Sequence, residues 1–528
     1  MKSLAILKDI RFSFTREVIF VFLLGFVIRL FACQYTYIVN PDGVLYIHQA
    51  RAIYYGLWDS IASCSLSYVS NYSVLIAAAY TVFHDWIIAA RAVSLLFGSL
   101  TLIPIYFMLK RFFDEHISAL GTLVFALMPT FVGRSSDVVR GPIYWFFLTL
   151  GLYLFISQIE KTKYRIYLFF SCVCFLMAAW ARIEALLFTV ISCFYIIGIK
   201  QERKFEKLAI FIIPVALSVF FALAIFVIGN APVKDIFRIH EVAEKLFTPF
   251  IEYRGLRASL AELNNSIQLG ALHYFLCKAK TLIWFIAFGT LMIYIVKVFF
   301  YPFFFIFIVG VGGIKARLKN DRSILYLVLL SIFTMILLYF HVLQTWIMEN
   351  RFLALFVFPC CVWIGFGLES IISFLRSRLK LKNHVILPIV CLLILGCALP
   401  KDLKPREVDK TVFKQIGNTI ARREGSSNKI AVAASQHTIR WISFYANLKY
   451  KGAPCPYKYG NLEDLAGNSY SQFVHNLKKE GIRYFLWEER HWPQKRYNFI
   501  KWKRSKDFVE IGHWRHPDTG RMVLLEVI

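Results

Sequence analysis

From residue 18 to 399 the sequence is a succession of apolar runs, each roughly 15 to 25 residues long, with short polar breaks between them. At about 1.5 Å of rise per residue, one such run crosses a hydrocarbon slab about 30 Å thick. Backbone in lipid must satisfy its own hydrogen bonds, so runs of this length cross as helices. With 528 residues, 58% hydrophobic and 18% charged, the chain carries more apolar surface than one water-soluble core can hide. Residues 1–399 therefore read as an all-α polytopic membrane domain. After Pro400 charge, Gly and Asn become common, and 400–528 read as a soluble domain.

A formal charge of +27 raises the question of nucleic acid. The cations instead gather in short clusters between apolar runs: Lys110-Arg111, Lys161-Lys163-Arg165, Lys200-Arg203-Lys204-Lys207, Lys315-Arg317-Lys319-Arg322 and Arg376-Arg378-Lys380-Lys382. That is the pattern of cytoplasmic loops, and no nucleic-acid partner is expected. Lys2, Lys8, Arg11 and Arg16 hold the N-terminus in the cytoplasm and make 18–38 the first span. Residues 39–89 follow as a long outer loop in which Val74–Phe83, too short to cross, lies at the interface. Spans are expected at about 90–109, 117–134, 142–158, 165–181, 185–199, 208–228, 323–341, 351–375 and 384–399. Within 270–314 one crossing near 283–313, preceded by an interfacial helix, brings the total to about 11 and leaves the tail outside. The protein is thus expected in the inner (plasma) membrane, in contact with membrane lipids, with its active side and tail extracytoplasmic.

Most of the eleven cysteines sit inside apolar runs without metal-site spacing, as small buried hydrophobes. Cys64 and Cys455 alone fall in outer aqueous segments, where a disulfide can join them. The tail reads as an α/β unit with strands at 429–434, 482–487 and 522–527 and helices near 411–423, 437–447 and 470–480, an open sheet with crossover helices. It has no Gly-rich phosphate loop, no catalytic motif and no metal-ligand spacing.

Ionisable residues at a membrane are costly and mark function. The outer loop opens Asn40-Pro-Asp42-Gly-Val-Leu-Tyr46-Ile-His48-Gln-Ala-Arg51, an acid directly after a span followed by polar groups at helical spacing. Asp42 here is either a cap for the following helix or a chemical group, and spacing leaves both open. Arg134-Ser-Ser-Asp137-Val-Val-Arg140-Gly-Pro is a tight outer turn whose guanidiniums suit a phosphate, with Asp137 as their partner or as an acid/base group. In Trp180-Ala-Arg182-Ile-Glu184, Arg182 either pairs with Glu184 or faces a lipid phosphate. Glu349-Asn-Arg351 starts a span, where snorkelling is the plainer explanation for the arginine.

The stretches Arg91–Tyr106, Ser136–Tyr144, Arg182-Ile-Glu184 and Asn350–Pro359 resemble motifs of the protein O-mannosyltransferase superfamily, whose bacterial relatives include lipid A aminoarabinose transferases. The Asp42/Tyr46/Arg51 spacing is similar to the first-loop motif of those lipid A enzymes. The resemblance implies the GT-C fold and a polyprenyl-phosphate sugar donor, with transfer to an extracytoplasmic protein, lipid A or glycan. It makes Asp42 the candidate base, with Asp137 as a second catalytic acid. Tyr46, His48, Arg51, Arg134, Arg140, Arg182, Glu184 and Arg351 become candidates for substrate binding. No metal ligands are assigned, although a divalent metal is compatible with the chemistry. The chain departs from the family at Gly43, where an acid often follows the first, and at Gly141, where an acid commonly precedes the proline. Rival readings are a transporter or flippase of lipid-linked sugars and an inactive scaffold; no inverted repeat of the transporter kind is visible.

Overall fold

The structure is a computed structural model that describes residues 16–61, 64, 66–160, 165–199, 202–229, 239–267, 270–314, 318, 321–380, 382–425, 428–493, 497–503 and 506–528. The cations Lys2, Lys8, Arg11, Lys161, Lys163, Lys200, Lys315, Arg317 and Lys319 lie outside the described residues. The chain divides into two compact units. The first comprises Met1–Phe31, Leu95–Ser135 and Arg140–Leu403; the second comprises Ala32–Ser94, Ser136–Val139 and Lys404–Ile528. The first outer loop and the 136–139 turn are therefore grouped with the polar tail.

Among the described residues, seven helices are long and apolar enough to cross a membrane: Arg16–Gln34, Trp86–Leu109, Gly141–Ile159, Lys204–Ala224, Ala271–Phe299, Arg322–Thr345 and His384–Asp402. Two bent pairs raise the number to 9, Glu115–Ala126 with Pro129–Ser135 at 60° and Asn350–Val357 with Cys361–Arg378 at 68°. Pro129 and Pro359 stand at these breaks, where the missing N–H and the ring interrupt the helical ladder. The segments 165–181 and 185–199, expected as spans, form shorter apolar helices, Ile166–Ala181 and Ile183–Gly198, that are not among these nine. Large apolar side chains remain exposed on the long helices, Phe285 at 73%, Leu392 at 67% and Phe220 at 65%, a surface that suits lipid and not water. This is a multi-pass membrane protein.

The stretch 270–314 differs from expectation in its order. Its long helix comes first, 29 residues from Ala271 to Phe299, and Lys297 stays inside it. The break falls at Phe300, whose φ of 67° ends the helix, and Pro302 opens the next one. That second helix, Tyr301–Gly312, has 12 residues and is too short to cross. It packs backbone to backbone on Cys361–Leu379: a Cβ on Gly310 would lie 1.8 Å from the Trp363 carbonyl oxygen, and one on Gly367 1.9 Å from that of Ile306. Close approach of this kind is how small residues join helices in lipid.

In the second unit the tail forms a four-stranded sheet, β1 Val432–Ala433, β2 Tyr484–Glu488, β3 Phe508–His516 and β4 Gly520–Val527, in the order β1-β2-β4-β3. β1 and β2 run parallel, whereas β3, β4 and β2 pair antiparallel. The open sheet with a crossover is present; β3 is an addition. Its sequence, FVEIGHWRH, lacks clean alternation and carries a bulge at Glu510/Gly512, as an edge strand can.

Candidate functional site

Two groups of ionisable residues stand out, one in each unit. In the second unit the first-loop motif forms the helix Pro41–Tyr54. Its cap is Asn40, whose side-chain oxygen accepts from Asp42 N at 3.0 Å, and Pro41 occupies the first turn. Asp42 is thus inside the first turn and does not cap the helix. Its Oδ1 lies 3.4 Å from Arg440 Nη1, a guanidinium from the tail helix Ile439–Ala446. Asp137 anchors the same corner: its Oδ1 accepts from Asn40 N at 3.2 Å and from Val138 N at 2.7 Å.

The rest of the motif is buried and bound to backbone. Tyr46 packs edge-on against Tyr72 with ring centroids 5.5 Å apart. His48 sets its two ring nitrogens against the Pro454 and Ser60 carbonyls at 3.1 and 3.3 Å. Burial pushes the imidazole down to about 4, against the smaller opposing pull of those carbonyls. Arg51 donates to the carbonyls of Asn447, at 3.2 Å, and Tyr450. His48 and Arg51 therefore tie the loop to the tail, an arrangement reinforced by the disulfide between Cys64 and Cys455.

In the first unit the break between Ile166–Ala181 and Leu186–Gly198 sets Arg182 in an extended conformation, φ −145° and ψ 114°, followed by one 3₁₀ turn. Arg182 is 2% exposed. Its Nε and Nη1 meet no acceptor, nor does the fully buried hydroxyl of Tyr144. Arg182 interacts electrostatically with Glu184, Arg140, Arg351 and Tyr144. Glu184 is held directly by Lys245, at 2.9 Å, a lysine on the helix Ile239–Ser266. Arg351 is bonded to Glu349 at 2.7 Å. The ring of Phe352 unites the group: Arg182 lies over it at 4.0 Å, Lys245 at 5.7 Å and Arg351 at 5.9 Å. Arg134 sits half-buried on the last turn of Pro129–Ser135.

Buried donors almost always find acceptors, and the unmet donors of Arg182 and Tyr144 are groups that can bind an anion. Among the described residues no three His, Cys, Asp or Glu side chains converge to hold a metal ion. Sequence reasoning missed Asn40 as the cap, and it missed Lys245, Arg440, Tyr144 and Phe352. Tyr144 and Phe352 stand inside the motifs, but an aromatic in an apolar run carries no signal of its own. Lys245 and Arg440 come from segments remote in sequence.

The two departures have steric counterparts. A Cβ on Gly43 would lie 2.4 Å from the Val138 carbonyl oxygen. Gly141 faces the Trp145 ring, which a Cβ would approach to 3.2 Å.

No family profile and no curated protein sequence matches the chain. Solved structures do. ArnT from Cupriavidus metallidurans in the apo state superposes with a TM-score of 0.62 at 13% identity, covering 97% of this chain and 98% of that one. The same protein bound to undecaprenyl phosphate gives 0.59 at 12% identity, with the same coverage. The archaeal oligosaccharyltransferase AglB from Archaeoglobus fulgidus, in complex with an inhibitory peptide and a dolichol-phosphate, gives 0.54 at 11%, covering 96% of this chain and 74% of that one. The chain has the GT-C fold of these polytopic membrane proteins, with a small α/β unit at its C-terminus.

Proposed function

We propose that the protein is a membrane glycosyltransferase that moves a sugar from a polyprenyl-phosphate carrier to an extracytoplasmic protein, lipid A or glycan. The Arg182 group carries this reading: buried donors at Arg182 Nε, Arg182 Nη1 and Tyr144 Oη lack acceptors in a chain whose structural neighbours include ArnT with undecaprenyl phosphate and AglB with dolichol-phosphate. The carrier phosphate supplies the missing acceptors. Arg140 and Arg351 add positive charge, and the planar fork of Arg182 suits two phosphate oxygens.

In the proposed reaction the bond from the anomeric carbon to the carrier phosphate breaks, and its electron pair stays on the phosphate oxygen. The guanidiniums stabilise that developing charge. An acceptor hydroxyl forms the new bond from the opposite face, inverting the anomeric centre, and its proton passes to Asp42. An acceptor that is already an anionic phosphate needs no base, and Asp42 then orients it. The disulfide between Cys64 and Cys455 supports an oxidising, extracytoplasmic location for the second unit, in the inner or plasma membrane of the cell.

The test compares undecaprenyl phosphate with undecaprenol as additives to the purified protein, together with mass spectrometry of envelope glycolipids, glycans and glycoproteins from cells with and without it. The proposal expects the phosphate alone to raise thermal stability and one glycosylated product to vanish with the protein. Equal stabilisation by the alcohol, or an unchanged envelope, overturns it.

A further inference from the structure

The tail helix Ile439–Ala446 is held at both ends and along its length. Before its first turn lies Glu488, fully buried at the end of β2. That carboxylate accepts from Ser435 N at 3.3 Å, Ser435 Oγ at 2.8 Å, the Thr438 hydroxyl and His491 Nδ1 at 2.7 Å. A buried carboxylate with this many donors fixes the 435–438 turn and the direction in which the helix leaves it.

At the other end Asn447 exchanges hydrogen bonds with Ile430, accepting from its N at 2.8 Å and donating to its O at 2.9 Å. Its own carbonyl accepts from Arg51 at 3.2 Å. Along the helix, Trp441 Nε1 donates to the Val39 carbonyl at 2.7 Å, and Val39 N donates to the Tyr445 hydroxyl at 3.1 Å. Val39 lies three residues before Asp42. These bonds join the helix to the residues that precede the first-loop motif, and what they deliver there is Arg440, 3.4 Å from Asp42 Oδ1 and stacked over the Tyr457 ring at 4.9 Å.

We propose that Arg440 is a positioning residue for the Asp42 carboxylate and that the tail unit exists in part to present it. The inference rests on the glycosyltransferase reading in which Asp42 acts on the acceptor. A planar guanidinium beside Oδ1 holds the carboxylate's rotamer and its orientation toward the acceptor.

The test measures kcat, acceptor KM and carrier affinity for the full-length protein and for Arg440→Gln, Arg440→Lys, Asp42→Asn and the double variant Asp42→Asn/Arg440→Gln, each checked for thermal stability and an intact disulfide. Arg440→Gln is expected to lower kcat at least about tenfold with carrier affinity unchanged, and Arg440→Lys to recover part of the loss. The double variant should be no worse than Asp42→Asn alone, because positioning has no value once the carboxylate is gone. Full activity of a stable Arg440→Gln beside an impaired Asp42→Asn overturns the inference and leaves the glycosyltransferase reading intact, as do losses that multiply in the double variant. Full turnover of Asp42→Asn removes the role of Asp42 and the inference with it.

Discussion

Gly43 lies under Val138 so closely that a Cβ at position 43 would come within 2.4 Å of the Val138 carbonyl oxygen and 2.8 Å of its Cβ. The opposing atoms are backbone and a β-branched side chain, neither of which can swing away. Introducing at this position the acid that the sequence resemblance led one to expect, by Gly43→Glu, should therefore not improve activity. Both Gly43→Glu and Gly43→Ala are expected to destabilise the fold by at least about 1–3 kcal/mol through overpacking, read as a lowered melting temperature in detergent. Unchanged melting of Gly43→Ala would show that the two segments part easily.

Asn40 and Asp42 separate capping from chemistry. Asn40→Ala removes the side-chain acceptor at the head of Pro41–Tyr54 and should cost about 1 kcal/mol of stability. Asp42→Asn leaves that cap in place and should melt close to the parent. If the acceptor is a hydroxyl, the same variant should lose at least about 10²-fold in turnover, because an amide takes no proton. Reconstituted turnover and melting curves measured on both variants decide the assignment.

Replacing Arg182 by Ala should abolish stabilisation by undecaprenyl phosphate, and Arg182→Lys should restore little, since a point charge does not reproduce the guanidinium fork. Glu184 keeps its bond to Lys245 when Arg182 is replaced, so no buried charge is left without a partner and the variants are expected to remain folded. Carrier binding equal to the parent in both variants would leave Arg182 a structural group.

His48 ties stability to pH. Burial holds its imidazole at about 4, below the ordinary 6.5, so it is neutral in the folded protein over that interval. Above about pH 6.5 neither state binds the proton. As pH falls from 6.5 towards 4 the unfolded chain binds it and the folded chain does not, so stability declines, by a total on the order of 3 kcal/mol. His48→Gln should remove this part of the slope. Parallel stability profiles for the parent and the variant between pH 7 and 4 would contradict the assignment.

Lysine and arginine clusters between long apolar runs were enough to identify a polytopic membrane protein. The alternation of apolar runs and polar breaks also marked Asp42, Asp137, Arg140, Arg182, Glu184 and Arg351 as ionisable residues at the membrane. These properties are local: a run either has the length and composition to cross, or it does not, and a charge beside it is visible whatever the fold. The sequence singled out Cys64 and Cys455 as cysteines that a disulfide can join, and the structure makes the bond.

What each charged group does was decided by residues distant in sequence. Asp42 meets Arg440, about four hundred positions away, while its neighbour Asn40 takes the cap. Glu184 is held by Lys245 from a long, charge-rich helix, and Phe352 collects three cations around one ring. Arg51 and His48, polar groups at helical spacing, are bound by tail carbonyls. Helical periodicity specifies which face a side chain occupies but not what is packed against that face. A buried charge takes its role from the partner packed there, and only the tertiary structure supplies that partner.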